Sequence, residues 1–313
     1  MVRISIANPG KGNSSPRENP GSLPLKWGRH GSESGEKTNL SADRLLALSA
    51  IGLVFIFGAA IGSFLNVVIY RLPAGRSLLW PPSSCPRCSH RLGARENVPV
   101  LGWLWLRGRC AHCRSRISMR YPLVEAAMGL LFWLVFATYG WSPTTWGYWI
   151  FFSWLLALSA IDVDTKTLPN SLTQSGLVLG AIFQVALAGE VDGEPTRIEA
   201  LMVSIVGAVI GIWVLDIISL VGSVILRQTA MGEGDAKLMA MMGAWLGWKL
   251  MLLAGFIGCA IGAFAGGGAI AMGWLGRRQP MPFGPSLALG AGIAAIWGES
   301  ILSAYVKLFF PVA

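Results

Sequence analysis

Long apolar runs separated by short polar stretches dominate the chain. They lie near Leu45–Tyr70, Leu123–Tyr139, Trp146–Ile161, Leu172–Leu187, Ala200–Leu226, Leu238–Leu253, Ala254–Leu275 and Leu287–Phe310. A spanning helix needs about 20 apolar residues, so the third, fourth and sixth runs are short. The pattern predicts an all-α polytopic membrane protein of about eight transmembrane helices. Residues 1–44, rich in Gly, Ser, Pro and Asn, read as a disordered tail. No apolar segment near Met1 resembles a cleavable signal peptide, and a misassigned start remains an alternative. After the first span (45–70) comes a polar loop, 71–120, and then a membrane domain, 121–313.

Composition agrees with this reading. Hydrophobic residues make up 53% of the 313, with 39 glycines besides, while charged residues are 13%, about half the usual ~25%. A soluble fold could not cover its surface with so few charges. The net charge of +9 invites a nucleic-acid reading until the charges are placed. Ten arginines and one acid, Glu96, lie between Arg71 and Arg120, so this segment carries all of the +9. Arginine concentrated in one loop between spans marks a cytoplasmic loop and argues against nucleic acid as a partner.

Eight spans with that loop inside put the N-terminus outside, the loops near Asp162 and Asp235 inside and the C-terminus outside. Arg277 and Arg278 then fall inside, and Glu190, Asp192, Glu194 and Glu199 outside. The discordant part is the tail, whose seven basic residues and four acids would have to cross the membrane.

The loop contains Cys85-Pro-Arg-Cys88 and Cys110-Ala-His-Cys113, two C-x-x-C pairs separated by 21 residues. Each turn aims two thiolates at one point, and together they complete the tetrahedron zinc prefers. A closed four-cysteine site leaves no open position, so the metal would be structural. A redox dithiol and ordinary cysteines are the alternatives. His90 and His112 read as solvated loop residues rather than ligands, and Cys259 as a small packing residue in a span.

Ionisable groups at or inside spans are costly and are functional candidates by default. Asp162 and Asp164 follow the third run, and Asp235 opens the sixth within Gly232-Glu233-Gly234-Asp235. Two carboxyls meeting at one membrane face cannot both ionise easily. One then takes a proton from water while the other polarises a peptide carbonyl, which is aspartyl proteolysis. Gly232 and Gly234 would let a substrate backbone approach closely. The plainer reading, helix caps or span ends, holds at least equally for Asp164, Glu233, Lys166 and Lys237. Asp216, inside a span, reads as facing the bundle interior, and Glu125 as a helix-start residue favoured by the dipole.

Further motifs are Gly62-Ser63-Phe64-Leu65-Asn66, then Arg71-Leu72-Pro73, Asn97-Val98-Pro99, Arg120-Tyr121-Pro122-Leu123-Val124-Glu125 and Pro282-Phe283-Gly284-Pro285. With the cysteine pairs and the aspartate motifs, in this order from about Gly58 to Gly290, the chain resembles the type IV prepilin peptidases. These are bifunctional leader peptidase/N-methyltransferases of bacterial pilus and type II secretion systems. The resemblance implies catalytic roles for Asp162 and Asp235, with Asp164 the rival for the first position and Gly232, Gly234 and Lys237 near the site. It implies a zinc-ribbon-like loop and use of S-adenosylmethionine. It also implies prepilin or pseudopilin substrates with short basic leaders, cut at the cytoplasmic face of the inner membrane among its lipids. The chain departs from the pattern at Asn170, where an acid is expected, at the extra acid Glu233, and in its first 44 residues. Competing readings are a membrane transporter with a zinc-binding regulatory loop, and an enzyme retaining only one of the two activities.

Overall fold

A computed structural model of the chain describes residues 33–189, 195–226, 232–274, 276 and 281–310. Most of the expected tail, together with Glu190, Asp192, Glu194, Arg277 and Arg278, lies outside the described residues. The chain divides into two units, Met1–Ala47 and Leu48–Ala313. In the first, the described residues are helical.

Every named element among the described residues is a helix: α1 (Glu33–Arg71), α2 (Leu101–Trp105), α3 (Arg120–Tyr139), α4 (Pro143–Thr165), α5 (Asn170–Leu187), α6 (Arg197–Leu226), α7 (Glu233–Ala271) and α8 (Gly284–Phe309). Six of them are long and apolar enough to cross a membrane: α1 over Leu48–Arg71, α3, α4, α6 over Arg197–Ile225, α7 and α8. Each of the eight apolar runs nevertheless falls mainly in a helix, because α5 takes the fourth and α7, ending at Ala271, takes the sixth and most of the seventh.

α7 is a hairpin. Gly247 has φ 72° and ψ 169°, a conformation essentially restricted to glycine. On either side of it, the terminal methyl of Met239 lies against Gly255, so 233–246 and 248–271 are antiparallel arms. The break frees carbonyls at the end of the first arm, and inside a bilayer they need partners. Ser204 Oγ donates to Ala244 O (3.0 Å) and Gln184 Nε2 to Trp245 O (2.6 Å).

Close approach through small residues holds the bundle together, as expected where lipid removes the hydrophobic drive between helices. Gly207 of α6 meets Gly243 of the first arm backbone to backbone, and a methyl on Gly211 would lie 2.7 Å from Met239 O. The second arm packs on α8 through Gly258 against Leu287 and Ala254 against Gly290. Met239, Met241, Met242, Met251, Phe151, Leu158 and Ile161 fill the fully or almost fully buried centre.

The starts of α3, α5, α7 and α8 converge with the end of α4. Ser142 caps the start of α4, accepting the Thr145 N–H at 3.3 Å, and Pro143 occupies its first turn. Its end is set by Lys166 in the left-handed region, whose N–H donates to Asp162 O (2.8 Å), and by Pro169 soon after. Arg120 Nη2 donates to Ala160 O (2.9 Å), and Lys237 Nζ to Asn170 Oδ1 (2.9 Å). Asn170, the departure from the acidic pattern, thus accepts a hydrogen bond that ties α5 to α7.

Candidate active site and metal centre

Asp162 stands in the last turn of α4 and Asp235 in the first turn of α7. Both are buried, at 5% and 8% exposure, while among the described residues Asp164, Glu199, Asp216, Glu233 and Glu299 are exposed. Asp162 is close enough to Asp235 for its charge to act on that carboxyl. Asp162 Oδ2 accepts the backbone N–H of Gly284, the first residue of α8, at 2.8 Å. Three helices distant in sequence therefore meet at this pair.

The neighbouring candidates separate. Asp164, two residues past Asp162, is exposed and ion-paired with Arg120. Gly234 is crowded, since a methyl there would lie 2.9 Å from Leu168 Cβ, whereas among the described residues a methyl on Gly232 would meet only Asp235 Oδ2, at 3.9 Å. Lys237 is engaged by Asn170. A cleft of about 420 Å³ between α6 and the start of α7 is lined by Asp216, Ser219, Gly232, Glu233 and Asp235. Asp216 and Glu233 therefore border the space that Asp235 faces. Sequence reasoning assigned no role to Gly284 or Arg120, although both stand in motifs it singled out.

Glu125 is more than a helix-start residue. It is buried, and its Oε2 accepts the N–H of Val100 at 2.7 Å, fastening the polar loop to α3. Gly62 allows α1 to approach at this level, since a methyl there would sit 2.7 Å from Glu125 Cα. Asn66 Nδ2 adds a bond to Tyr121 O (3.1 Å).

In the loop, Cys85, Cys88, Cys110 and Cys113 place their sulfurs within 4.8 Å of one another, and all four are free thiols. They sit on two matching turns. The N–H of Cys85 donates to His90 O and that of Ser89 to Cys85 O, both at 2.9 Å; Cys110 and Arg114 repeat the pattern with Ser115 O and Cys110 O at 2.9 and 3.0 Å. Ser89 and Arg114, each following the second cysteine of its pair, share a left-handed φ of 56° and 58°. Separations of 3.8 Å (Cys85 to Cys113) and 3.9 Å (Cys88 to Cys110) match the edge of about 3.8 Å for a tetrahedron with Zn–S near 2.3 Å. The backbone N–H groups of Cys88 and Arg87 and the hydroxyl of Ser115 bring the Cys85 thiol down to about 6. His90 N–H favours the Cys88 thiolate, but burial and the adjacent thiols outweigh it and push that thiol up to about 12. His90 and His112 stack on each other, ring centres 5.1 Å apart, outside the sulfur cluster. Cys259 stands on the second arm of α7.

Two family models match the chain: the Bacterial Peptidase A24 N-terminal domain over residues 56–139 and the Type IV leader peptidase family over 149–267. The prepilin leader peptidase/N-methyltransferase of Aeromonas hydrophila is 38% identical over 284 residues, covering 82% of this chain and 94% of that protein. The chain belongs to the prepilin leader peptidase/N-methyltransferase family. Proteins of the same name from Stutzerimonas stutzeri and Neisseria gonorrhoeae are 36% and 35% identical, covering 83% and 82% of this chain and 95% and 94% of theirs. No solved structure matches it. Both cysteine pairs and Glu125 fall within the first matched segment, and Asp162, Asp164 and Asp235 within the second. Gly284 lies beyond both. Membership in a leader peptidase family does not support the transporter reading.

Proposed function

We propose that this multi-pass membrane protein is a prepilin leader peptidase in which Asp162 and Asp235 form the catalytic pair. The carrying observation is that these two carboxyls alone among the aspartates of the motifs are buried together, while Asp164 is taken up by Arg120. In the working pair one carboxyl is protonated and the other is not. The ionised one removes a proton from water as its oxygen adds to the scissile carbonyl carbon, and the protonated one gives its proton to the carbonyl oxygen. The tetrahedral adduct then collapses. Its C–N bond breaks, and a proton passes from the pair to the departing amine.

The substrate is a prepilin or pseudopilin, cut at the cytoplasmic face of the bacterial inner membrane, where the Arg-rich loop also lies. S-adenosylmethionine, when bound, would supply the methyl group that the released α-amine accepts, leaving as S-adenosylhomocysteine. The described residues hold no strand-turn-helix nucleotide fold, so no residue is assigned to this donor. Cys85, Cys88, Cys110 and Cys113 would hold a structural zinc ion joining the two turns.

The test is cleavage of a model prepilin in membranes by Asp162→Asn and Asp235→Asn. Each single variant is expected to lose at least about a hundredfold in kcat, the contribution of a positioned acid or base. Near-normal cleavage by either one overturns the pair. Methyl incorporation, measured separately on pre-cleaved substrate, should survive both substitutions.

A further inference from the structure

The first turn of an α-helix has N–H groups with no partner inside the helix, and they are satisfied from elsewhere. At the start of α8 they can be followed one by one. Phe283, in the capping position, has no side-chain acceptor to offer. Pro285 has no N–H. Ser286 and Leu287 both donate to Phe283 O, at 3.0 and 3.2 Å. The Gly284 N–H remains, and it goes to Asp162 Oδ2 on another helix.

Position 284 also tolerates no side chain. A methyl there would lie 2.8 Å from Asp162 Oδ2, 3.2 Å from its Cγ and 3.3 Å from its Cβ. The carboxyl thus occupies the space a Cβ would need, and one of its oxygens is tied down by the N–H that points there. The other oxygen and the second lone pair of Oδ2 are left for water or substrate. α8 itself is held by the second arm of α7, whose first arm carries Asp235.

We propose that Gly284 is a positioning residue for hydrolysis, acting through Asp162: the N-terminus of α8 sets the place and orientation of this carboxyl relative to Asp235. Between Pro282 and Pro285, which have no N–H, Phe283 and Gly284 carry the backbone donors, and it is the Gly284 N–H that reaches the carboxyl. The proposal rests on Asp162 being catalytic.

The cleanest perturbation is an amide-to-ester replacement, with glycolic acid in place of Gly284, which deletes the N–H and adds no atom. In detergent-solubilised full-length enzyme acting on a model prepilin, kcat is expected to fall about tenfold, the scale of one hydrogen bond to a charged group, with KM within about twofold. Gly284→Ala should fall further by displacing the carboxyl. Its loss of thermal stability should shrink in an Asp162→Ala background, where the methyl has room, and that coupling is read without any activity. Gly292→Ala, on the same helix with its methyl 3.0 Å from Phe152, controls for crowding α8 away from the pair and should keep kcat. An ester enzyme with unchanged kcat, or thermal effects of Gly284→Ala that simply add to those of Asp162→Ala, overturns the proposal. If Asp162→Asn cleaves normally, the catalytic reading fails first. If Asp162→Asn is inactive and the ester enzyme is normal, only the role of Gly284 fails.

Discussion

Replacing Asp164 by asparagine removes a negative charge two residues from Asp162, and the structure sets how little that should matter. The lost interaction is the ion pair with Arg120, whose partners are 37% and 38% exposed at their side chains. An exposed pair of this kind contributes about 0.2–1 kcal/mol, which bounds the change in any equilibrium it supports at about fivefold. Arg120 also keeps its bond to Ala160 O, so the α3–α4 contact persists. Asp162→Asn changes shape just as little, and its amide oxygen still accepts the Gly284 N–H. It does, however, remove a group that must exchange protons, a loss of about 10²–10⁴. The assay is cleavage of a tagged prepilin by wild type, Asp162→Asn and Asp164→Asn in the same membranes, with melting temperature in detergent as a check on folding. The expected order is wild type near Asp164→Asn, both far above Asp162→Asn. A loss of a hundredfold or more in Asp164→Asn, with Asp162→Asn above a tenth of wild type, would refute the assignment, since no exposed ion pair accounts for it.

Substituting all four loop cysteines by serine should remove about one equivalent of zinc from the purified protein, read by elemental analysis; unchanged metal content contradicts the site. Zinc loading of the metal-free loop should release protons, because the Cys88 thiol, pushed up to about 12, is protonated at neutral pH and must ionise to bind. Measured in weak buffer with a pH indicator, the absence of release would mean that this thiol is not a ligand. Gly247→Ala forces a residue with a Cβ into the reversal of α7, at a cost of about 1–3 kcal/mol, seen as a lower melting temperature. Gly267→Ala, on the same helix with open space around it, is the neutral comparison.

Much of this architecture was legible because its signals are local. Apolar runs report helices, paired cysteines report a ligand turn, and carboxylates at the ends of spans are too costly to be incidental. Asp162 and Asp235 could be paired because their runs were expected to end at one face. The boundaries that failed to show were those depending on tertiary contacts. Nothing in Leu238–Leu275 marks the reversal at Gly247 apart from one glycine among several, and the adjacent boundary expected at 253–254 lay inside the second arm. Ser204 and Gln184 look like stray polar residues until the broken arm needs donors. The ion pair of Asp164 is visible only once Arg120, distant in sequence, is seen beside it. Gly284 stood in a noted motif, but a glycine whose contribution is a backbone N–H has no side-chain chemistry to read.

The reversal at Gly247 also has a consequence for the lipid. The arm carrying Asp235 runs 233–246, about 21 Å at 1.5 Å per residue, against a hydrocarbon layer about 30 Å thick. Its far end is enclosed by protein rather than lipid, since Met241, Met242, Ala244, Trp245 and Leu246 are all buried among the neighbouring helices. Lipid is thereby kept from the broken backbone, so the melting temperature of the protein should respond more to substitutions of the helices that cover the reversal than to the acyl-chain length of the surrounding bilayer.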